Sequence, residues 1–303
     1  MTHIAIIIPT LNAGDQFIEL LNSITLQKAC ISKKIIIDSQ SSDNTVRLAQ
    51  KYQYEVLYAD KGSFNHGRTR QFGIDSLKDI DIAVFLTQDV ILHDEDSIGK
   101  LVASFSNPKV GAAYGRQLPH RGASSIAAQA RLYNYPQTGQ IKSYADKNKL
   151  GIKTAFLSDS FAAYRISDLN AVGGFPRVII CEDMYVAAKM LMQGYLIAYV
   201  ADACVYHSHD YTLRQEFHRC FDSGVFQAQE PWIRAEFGGA ESEGLKLVKA
   251  QLRYLVKNQD VFSIPKAILG NAVKIIAYRM GIYERYLPIK LKKILSAQSY
   301  YFK

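Results

Sequence analysis

The strongest constraint on the fold of this 303-residue chain is an alternation of two hydrophobic periods. Ile4 to Pro9 and Lys34 to Asp38 are short, nearly continuous apolar runs, the pattern of central parallel strands covered on both faces. Between them Phe17, Leu20, Leu21 and Ile24 recur at helical spacing, and SSDNT then supplies N-cap residue types before a polar helix carrying Val46 and Leu48. Glu55 to Ala59 and Ile82 to Thr87 are the third and fourth expected strands. Strands alternating with helices predict an α/β fold, an open and mostly parallel sheet with right-handed crossovers.

In such a sheet the ligand crevice lies beyond the C-terminal ends of the strands. Three of those ends carry polar residues: Pro9-Thr10-Leu11-Asn12, Asp38-Ser39-Gln40-Ser41 and Gln88-Asp89. Further along, Gly111 to Pro119 and Thr154 to Ile166 are expected strands, 182–193 an amphipathic helix with acids in its first turn, and Ile197 to Tyr206 a strand ending in HSHD. From Thr212 the chain is expected to be mainly helical, broken around Gly238-Gly239, Pro265 and Pro288.

Several function classes drop out. Cys30, Cys181, Cys204 and Cys220 form no CxxC pair, which argues against a disulfide framework or zinc knuckle and suits a reducing compartment. MTHIAIIIPTLN lacks the basic region and cleavage site of a signal peptide. With no uninterrupted apolar stretch of about 18 residues, no membrane span is expected. The protein is therefore expected in the cytoplasm unless something holds it to a surface. No GxGxxG follows the first strand, which disfavours a dinucleotide dehydrogenase.

The net charge of +8 is unevenly distributed. From Lys246 onward twelve Lys and Arg face only Asp260 and Glu284, a net of +10, so the preceding 245 residues carry −2. In this tail Leu, Ile, Val and aromatic residues interleave with the bases. Two readings stand side by side: a basic amphipathic surface on an anionic leaflet, or a helical subdomain or homodimer interface. The aliphatic interleaving disfavours nucleic acid as the partner.

The candidate chemistry lies at the strand ends and at Lys61 to Gln71, KGSFNHGRTRQ. A carboxylate at Asp38 suits the imide N–H of a pyrimidine base, although the same residues also make a simple helix cap and turn. Gly67 permits close backbone approach, and Arg70 suits bidentate contact to phosphate. The ordered series IIIPTLNAG, IIIDSQSSDNT, NHGRTRQFG, FLTQDV, GGF…CEDMYVAAKML and VYHSH resembles glycosyltransferase family 2 over roughly residues 3 to 224. SFNHGRTR with LTQDV is most similar to its bacterial rhamnosyltransferase branch.

The resemblance implies a GT-A fold with a C-terminal helical extension, residues 1–230 forming the transferase domain and 231–303 the basic extension. It implies that Pro9, Thr10, Asn12, Asp38, Ser39 and Ser41 cradle a nucleoside, that Arg70 meets the diphosphate, and that Gln88 and Asp89 occupy the last two positions of a DxD motif whose first acid is here Thr87. Asp89 and His207 would hold Mg²⁺ or Mn²⁺, with His209 competing for the histidine role; a His ligand tilts toward Mn²⁺. Asp183 would be the general base and Glu182 its orienting neighbour; two acids at a helix start also serve the helix dipole.

The implied reaction is inverting transfer of one sugar, expected to be L-rhamnose from dTDP-L-rhamnose, to a glycan on a polyprenyl diphosphate at the inner face of the membrane. A UDP-sugar donor is the enzyme alternative, and a non-catalytic nucleotide-binding protein the other. The QxxRW signature of processive members is absent around HRCFDSG, favouring single transfers. Trp232, the only tryptophan, is expected in the core or a hinge more than at the acceptor site.

Overall fold

The computed structural model describes residues 2–302 apart from Lys61, Ser63 and Ala240, so Lys61 and Ser63 of the expected phosphate-facing segment lie outside the described residues. Strands β1 (Ile4–Thr10), β2 (Lys33–Asp38), β3 (Glu55–Tyr58) and β4 (Ile82–Leu86) alternate with helices α1 (Phe17–Thr25), α2 (Thr45–Lys51) and α3 (His66–Asp75). There follow β5 (Ile91–Leu92), α4 (Ser97–Ala103), β6 (Val110–Leu118), α5 (Ser125–Asn134), β7 (Gln140–Lys142) and α6 (Lys147–Leu150). Next come β8 (Phe161–Arg165), α7 (Ile166–Ala171), α8 (Glu182–Met192) and β9 (Leu196–Tyr206). The remainder is helical: α9 (Leu213–Gln229), α10 (Pro231–Phe237), α11 (Glu241–Lys257), α12 (Ile264–Ile282) and α13 (Ile289–Leu295).

Among the described residues the strands form one nine-stranded sheet in the order β3-β2-β1-β4-β8-β6-β9-β5, with β7 added on β9. The β1, β2, β3 and β4 pairings are all parallel, and β6 runs parallel to β9. β8 is antiparallel to both β4 and β6. On β1, Ile4, Ile6 and Ile8 enter one core cluster and Ile7 enters the cluster on the other face. A strand covered on both faces cannot alternate with polar residues, hence its apolar run; each fully buried isoleucine contributes roughly 1.5–3 kcal/mol. The register puts Thr10 opposite Asp38 at the strands' C-terminal ends.

The stretch expected as a strand from Thr154 to Ile166 is a strand only over Phe161–Arg165, and Gly151–Ala155 forms a 3₁₀ turn. Buried Lys142 explains the difference, because its Nζ donates to the carbonyls of Lys153 (3.1 Å) and Phe156 (2.6 Å) that a sheet ladder would otherwise use.

The expected breaks in the helical tail are found close to where the sequence puts them. Gly238 follows α10, Pro265 sits in the first turn of α12, and Pro288 precedes α13. One core cluster holds Ile7 and Ile35 together with Phe221, Ile233, Phe237, Ala277 and Phe302, so packing continues across residue 230. α9 and α12 cross at Gly224 and Gly281, where a Cβ on Gly224 would stand 2.2 Å from the Tyr278 carbonyl oxygen. Val261–Ile282 is long and apolar enough to cross a membrane by length and composition, although Lys266, Lys274 and Arg279 interrupt its apolar run.

Candidate active site

The turn after β1 and the turn after β2 are tied together by Asp38. Its carboxylate, 1% exposed, accepts bonds from Thr10 Oγ1 (3.1 Å), Ser41 N–H (2.8 Å) and Ser41 Oγ (2.6 Å). Ser41 Oγ in turn accepts from Asn12 N–H at 2.8 Å, and Asn12 Oδ1 accepts from Ser42 N–H at 2.8 Å. Asn12 and Gln40 both adopt left-handed backbone conformations, with φ of 46° and 61°. Ser39 donates its N–H to the Thr10 carbonyl, while its buried hydroxyl has no protein partner among the described residues. Pro9 lies within β1 opposite Ile37. Gln88, expected at the ligand, is occupied by the backbone of Leu11, accepting from its N–H at 2.8 Å and donating to its carbonyl at 3.2 Å.

Arg70, expected against a diphosphate, points into the protein. It is 5% exposed, with Nε 2.8 Å from Asp159 Oδ2 and Nη1 2.6 Å from Glu182 Oε1. Burial works against the guanidinium, but the two carboxylates outweigh it and raise its pKa. Gly67 does permit a close approach, though to the protein itself: a Cβ there would stand 1.9 Å from the Pro176 carbonyl oxygen. Asn65 caps α3 by accepting from Arg68 N–H and donates to the Val178 carbonyl at 2.6 Å, so the α3 start and the loop before α8 are pinned together.

Asp183 is the second residue of α8, two positions after Cys181, whose left-handed φ of 63° starts the turn. Its Oδ2 accepts from Asp159 N–H at 3.3 Å and its Oδ1 from Met184 N–H at 2.8 Å. Burial, with the neighbouring charges of Asp159 and Glu182, pushes the Asp183 carboxyl well above the usual range. Asp159 itself, bonded by Tyr164 Oη at 2.6 Å, is pushed up to about 6 by burial against the pull of Arg70. Sequence reading missed Asp159: SDS after an irregular segment carries no motif, and Arg70, the cation it pairs with, lies far away in the chain.

The third group combines Asp89 with both histidines of HSHD. His207 Nε2 is 3.5 Å from Asp89 Oδ1, His209 Nε2 is 3.3 Å from Asp89 Oδ2, and the two Nε2 atoms are 2.9 Å apart. Adjacent ligands around a divalent cation at about 2.1 Å sit about 3 Å from one another, so the three donors fit one ion. The sequence posed His207 and His209 as competitors; the structure brings both to the same point.

Gln117 settles the His207 tautomer. Its Oε1 accepts from Arg131 Nη1 at 2.5 Å, a group that can only donate, so the ring Nδ1 at 2.8 Å must be the donor and Nε2 carries the lone pair. Burial lowers the pKa of both rings, His209 to about 4, which keeps them neutral as ligands must be.

A cavity of about 520 Å³ is lined by Arg70, Asp159, Glu182 and Asp183 and reaches His209 and Asp210. An adjoining cavity of about 640 Å³ is lined by Asp89, His120, Arg121 and the same His209 and Asp210. The base candidate and the cation cluster therefore share a wall. Asp38 lines neither cavity; it stands further along the same sheet edge, linked through Thr10, Leu11 and Gln88. Trp232 is packed edge-on to Tyr185 and bonded to Glu230, outside both cavities.

A mixed sheet ending in nucleotide-sized clefts, with a carboxylate–histidine cluster beside a raised carboxyl, is the architecture of a nucleotide-sugar transferase. The profile of Glycosyl transferase family 2 matches residues 5–173. The chain is 46% identical over 301 residues to the O-antigen chain rhamnosyltransferase RfbN of Salmonella typhimurium, covering 99% of this chain and 96% of that protein. It is 43% identical over 304 residues to the O-antigen chain rhamnosyltransferase WbaN of Salmonella anatum, covering 100% and 96%. The fold is similar to that of the mannosyltransferase PcManGT from Pyrobaculum calidifontis, solved with GDP-Man and Mn²⁺ (TM-score 0.64, 16% identity, 93% of this chain and 88% of that one). The chain belongs to glycosyl transferase family 2, and it is a glycosyltransferase of the GT-A fold.

Proposed function

We propose that this enzyme transfers L-rhamnose from dTDP-L-rhamnose, with inversion, to a hydroxyl of a lipid-linked glycan during O-antigen assembly. The sugar and the pathway are supported by the two full-length relatives, both O-antigen chain rhamnosyltransferases. The chemistry is supported above all by one observation: Asp183, a carboxyl raised well above its usual range, lines a cavity that reaches a histidine of the cation cluster.

In this reading Pro9, Thr10, Asn12, Asp38, Ser39 and Ser41 form the nucleoside end, held in shape by Gln88. Asp183 takes the proton of the acceptor hydroxyl. The hydroxyl oxygen bonds to the anomeric carbon as the bond from that carbon to the diphosphate oxygen breaks, and the electron pair leaves with the nucleoside diphosphate. Arg70 serves this step indirectly: it neutralises Glu182 and Asp159 so that three acids can stand together beside one hydroxyl. Asp89, His207 and His209 would hold Mg²⁺ or Mn²⁺, which when bound supplies positive charge beside the departing diphosphate.

Residues 1–230 act as the transferase domain and 231–303 as its basic extension, on the cytoplasmic face of the membrane that carries the acceptor. The test is sugar release from dTDP-L-rhamnose and from UDP-sugars by the wild type and by Asp183→Asn. Turnover of dTDP-L-rhamnose by the wild type alone, with donor binding kept in the variant, is expected; equal turnover by the variant overturns the assignment.

A further inference from the structure

Helix α12 is built inside out. Ala267, Asn271, Ala277 and Gly281, all small or polar, face the protein and are buried. Phe262 just before the helix and Ile268, Leu269, Ile275 and Ile276 along it face away from the protein, from 51% to 93% exposed, and Tyr283 continues the row. Phe262, Leu269, Ile276 and Tyr283 recur every seven residues, close to two helical turns, with Ile268 and Ile275 beside them, so the row keeps to one face of the helix. A soluble helix does the reverse, and an exposed apolar row of this length marks a contact surface.

Charge decides what covers it. Lys249, Arg253 and Lys257 on α11, Lys266 and Arg279 on α12, and Lys290 and Lys293 on α13 are exposed, and none is ion-paired with an acid among the described residues. A second copy seated by two-fold symmetry would bring two such surfaces of like charge together. An acidic lipid surface reverses the sign of that interaction and accepts the apolar row into its headgroup boundary. The same helix leads to the active site: Lys266 and Lys274 of α12 and Leu247 and Gln251 of α11 line the cavity that holds Asp183.

We propose that α12, lying flat with its Phe262–Ile276 stripe outward, seats the enzyme on an anionic lipid bilayer and sets the mouth of the Asp183 cavity at the level of the headgroups. α12 does not cross the bilayer, since its inner face is committed to α9. The proposal deepens the reading of the acceptor as lipid-linked and rests on it only for its purpose.

The test is co-sedimentation of the full chain with vesicles of phosphatidylcholine alone and of phosphatidylcholine with phosphatidylglycerol, at low and high salt. Wild type is compared with the triple variant Phe262→Ser/Ile268→Ser/Ile275→Ser, with mass followed by sedimentation velocity. We expect binding only to the phosphatidylglycerol vesicles, weakening with salt, and a fall of about tenfold or more in the triple variant with no change in mass. Absence of vesicle binding, or equal binding by the variant, overturns the proposal. So does a wild-type dimer that the variant dissociates without lipid, which would make a second copy the occupant. Hydrolysis of dTDP-L-rhamnose in lipid-free buffer, expected equal in both proteins, separates the outcomes: its loss in the wild type defeats the transferase reading and leaves the vesicle result to judge the lipid face.

Discussion

The Nε2 atoms of His207 and His209 stand 2.9 Å apart, and the Gln117–Arg131 pair behind His207 forces its free lone pair toward that gap. A buried amide is thus committed to orienting a ring that would otherwise choose between two tautomers. Gln117→Leu is expected to weaken Mn²⁺ binding in the presence of dTDP by about tenfold to a hundredfold, against a larger loss for His207→Ala. Calorimetric titration measures both; unchanged affinity in Gln117→Leu would remove the orienting role.

Asp183 acts as a base only when ionised, and its pKa is raised. Activity is therefore lost as pH falls through that raised value, and the acid limb of kcat/KM lies above the roughly 4 of an ordinary aspartate. Asp183→Asn is expected to reduce kcat by about 10² to 10⁴ while dTDP affinity stays within about twofold. A pH profile with its limb at the ordinary aspartate value would count against this environment.

Asp159 is placed to tune that base. Asp159→Asn removes the nearest like charge, so the acid limb should move to lower pH. It also leaves Arg70 with one carboxylate where it had two, at a cost of about 3 kcal/mol for a broken buried pair. Rate profiles and chemical denaturation read the two effects separately. Destabilisation without movement of the limb would make Asp159 purely structural.

Ser41→Ala removes a 2.6 Å bond to the Asp38 carboxylate and the acceptor for Asn12 N–H. A hydrogen bond to a charged group contributes about 1.5–3 kcal/mol, so the donor KM should rise about tenfold or more with kcat little changed. A fall in kcat at constant KM would put Ser41 in the chemical step.

Gly224→Ala drives a methyl into the Tyr278 carbonyl at the α9–α12 crossing. Overpacking of this kind costs about 1–3 kcal/mol, visible as a lower denaturation midpoint at unchanged slope. Normal stability would mean that the two helices separate easily.

The sequence by itself determined the first half of the sheet and the chemistry at its edge. Strands covered on both faces must be continuous in Ile, Val and Phe, so Thr10, Asp38 and Asp89 stand out as the places where the run ends. That signal is local, and local signals survive without a fold. What only the tertiary structure decided was partnership: Arg70 with Glu182, 112 residues away, and with Asp159; Gln117 behind His207; His209 as collaborator and not competitor. It also decided which side of α12 is inside, since periodicity reveals an apolar stripe but not what faces it. Which groups meet, and which side of a helix is left bare, depend on how distant elements pack, and no spacing along one chain encodes that.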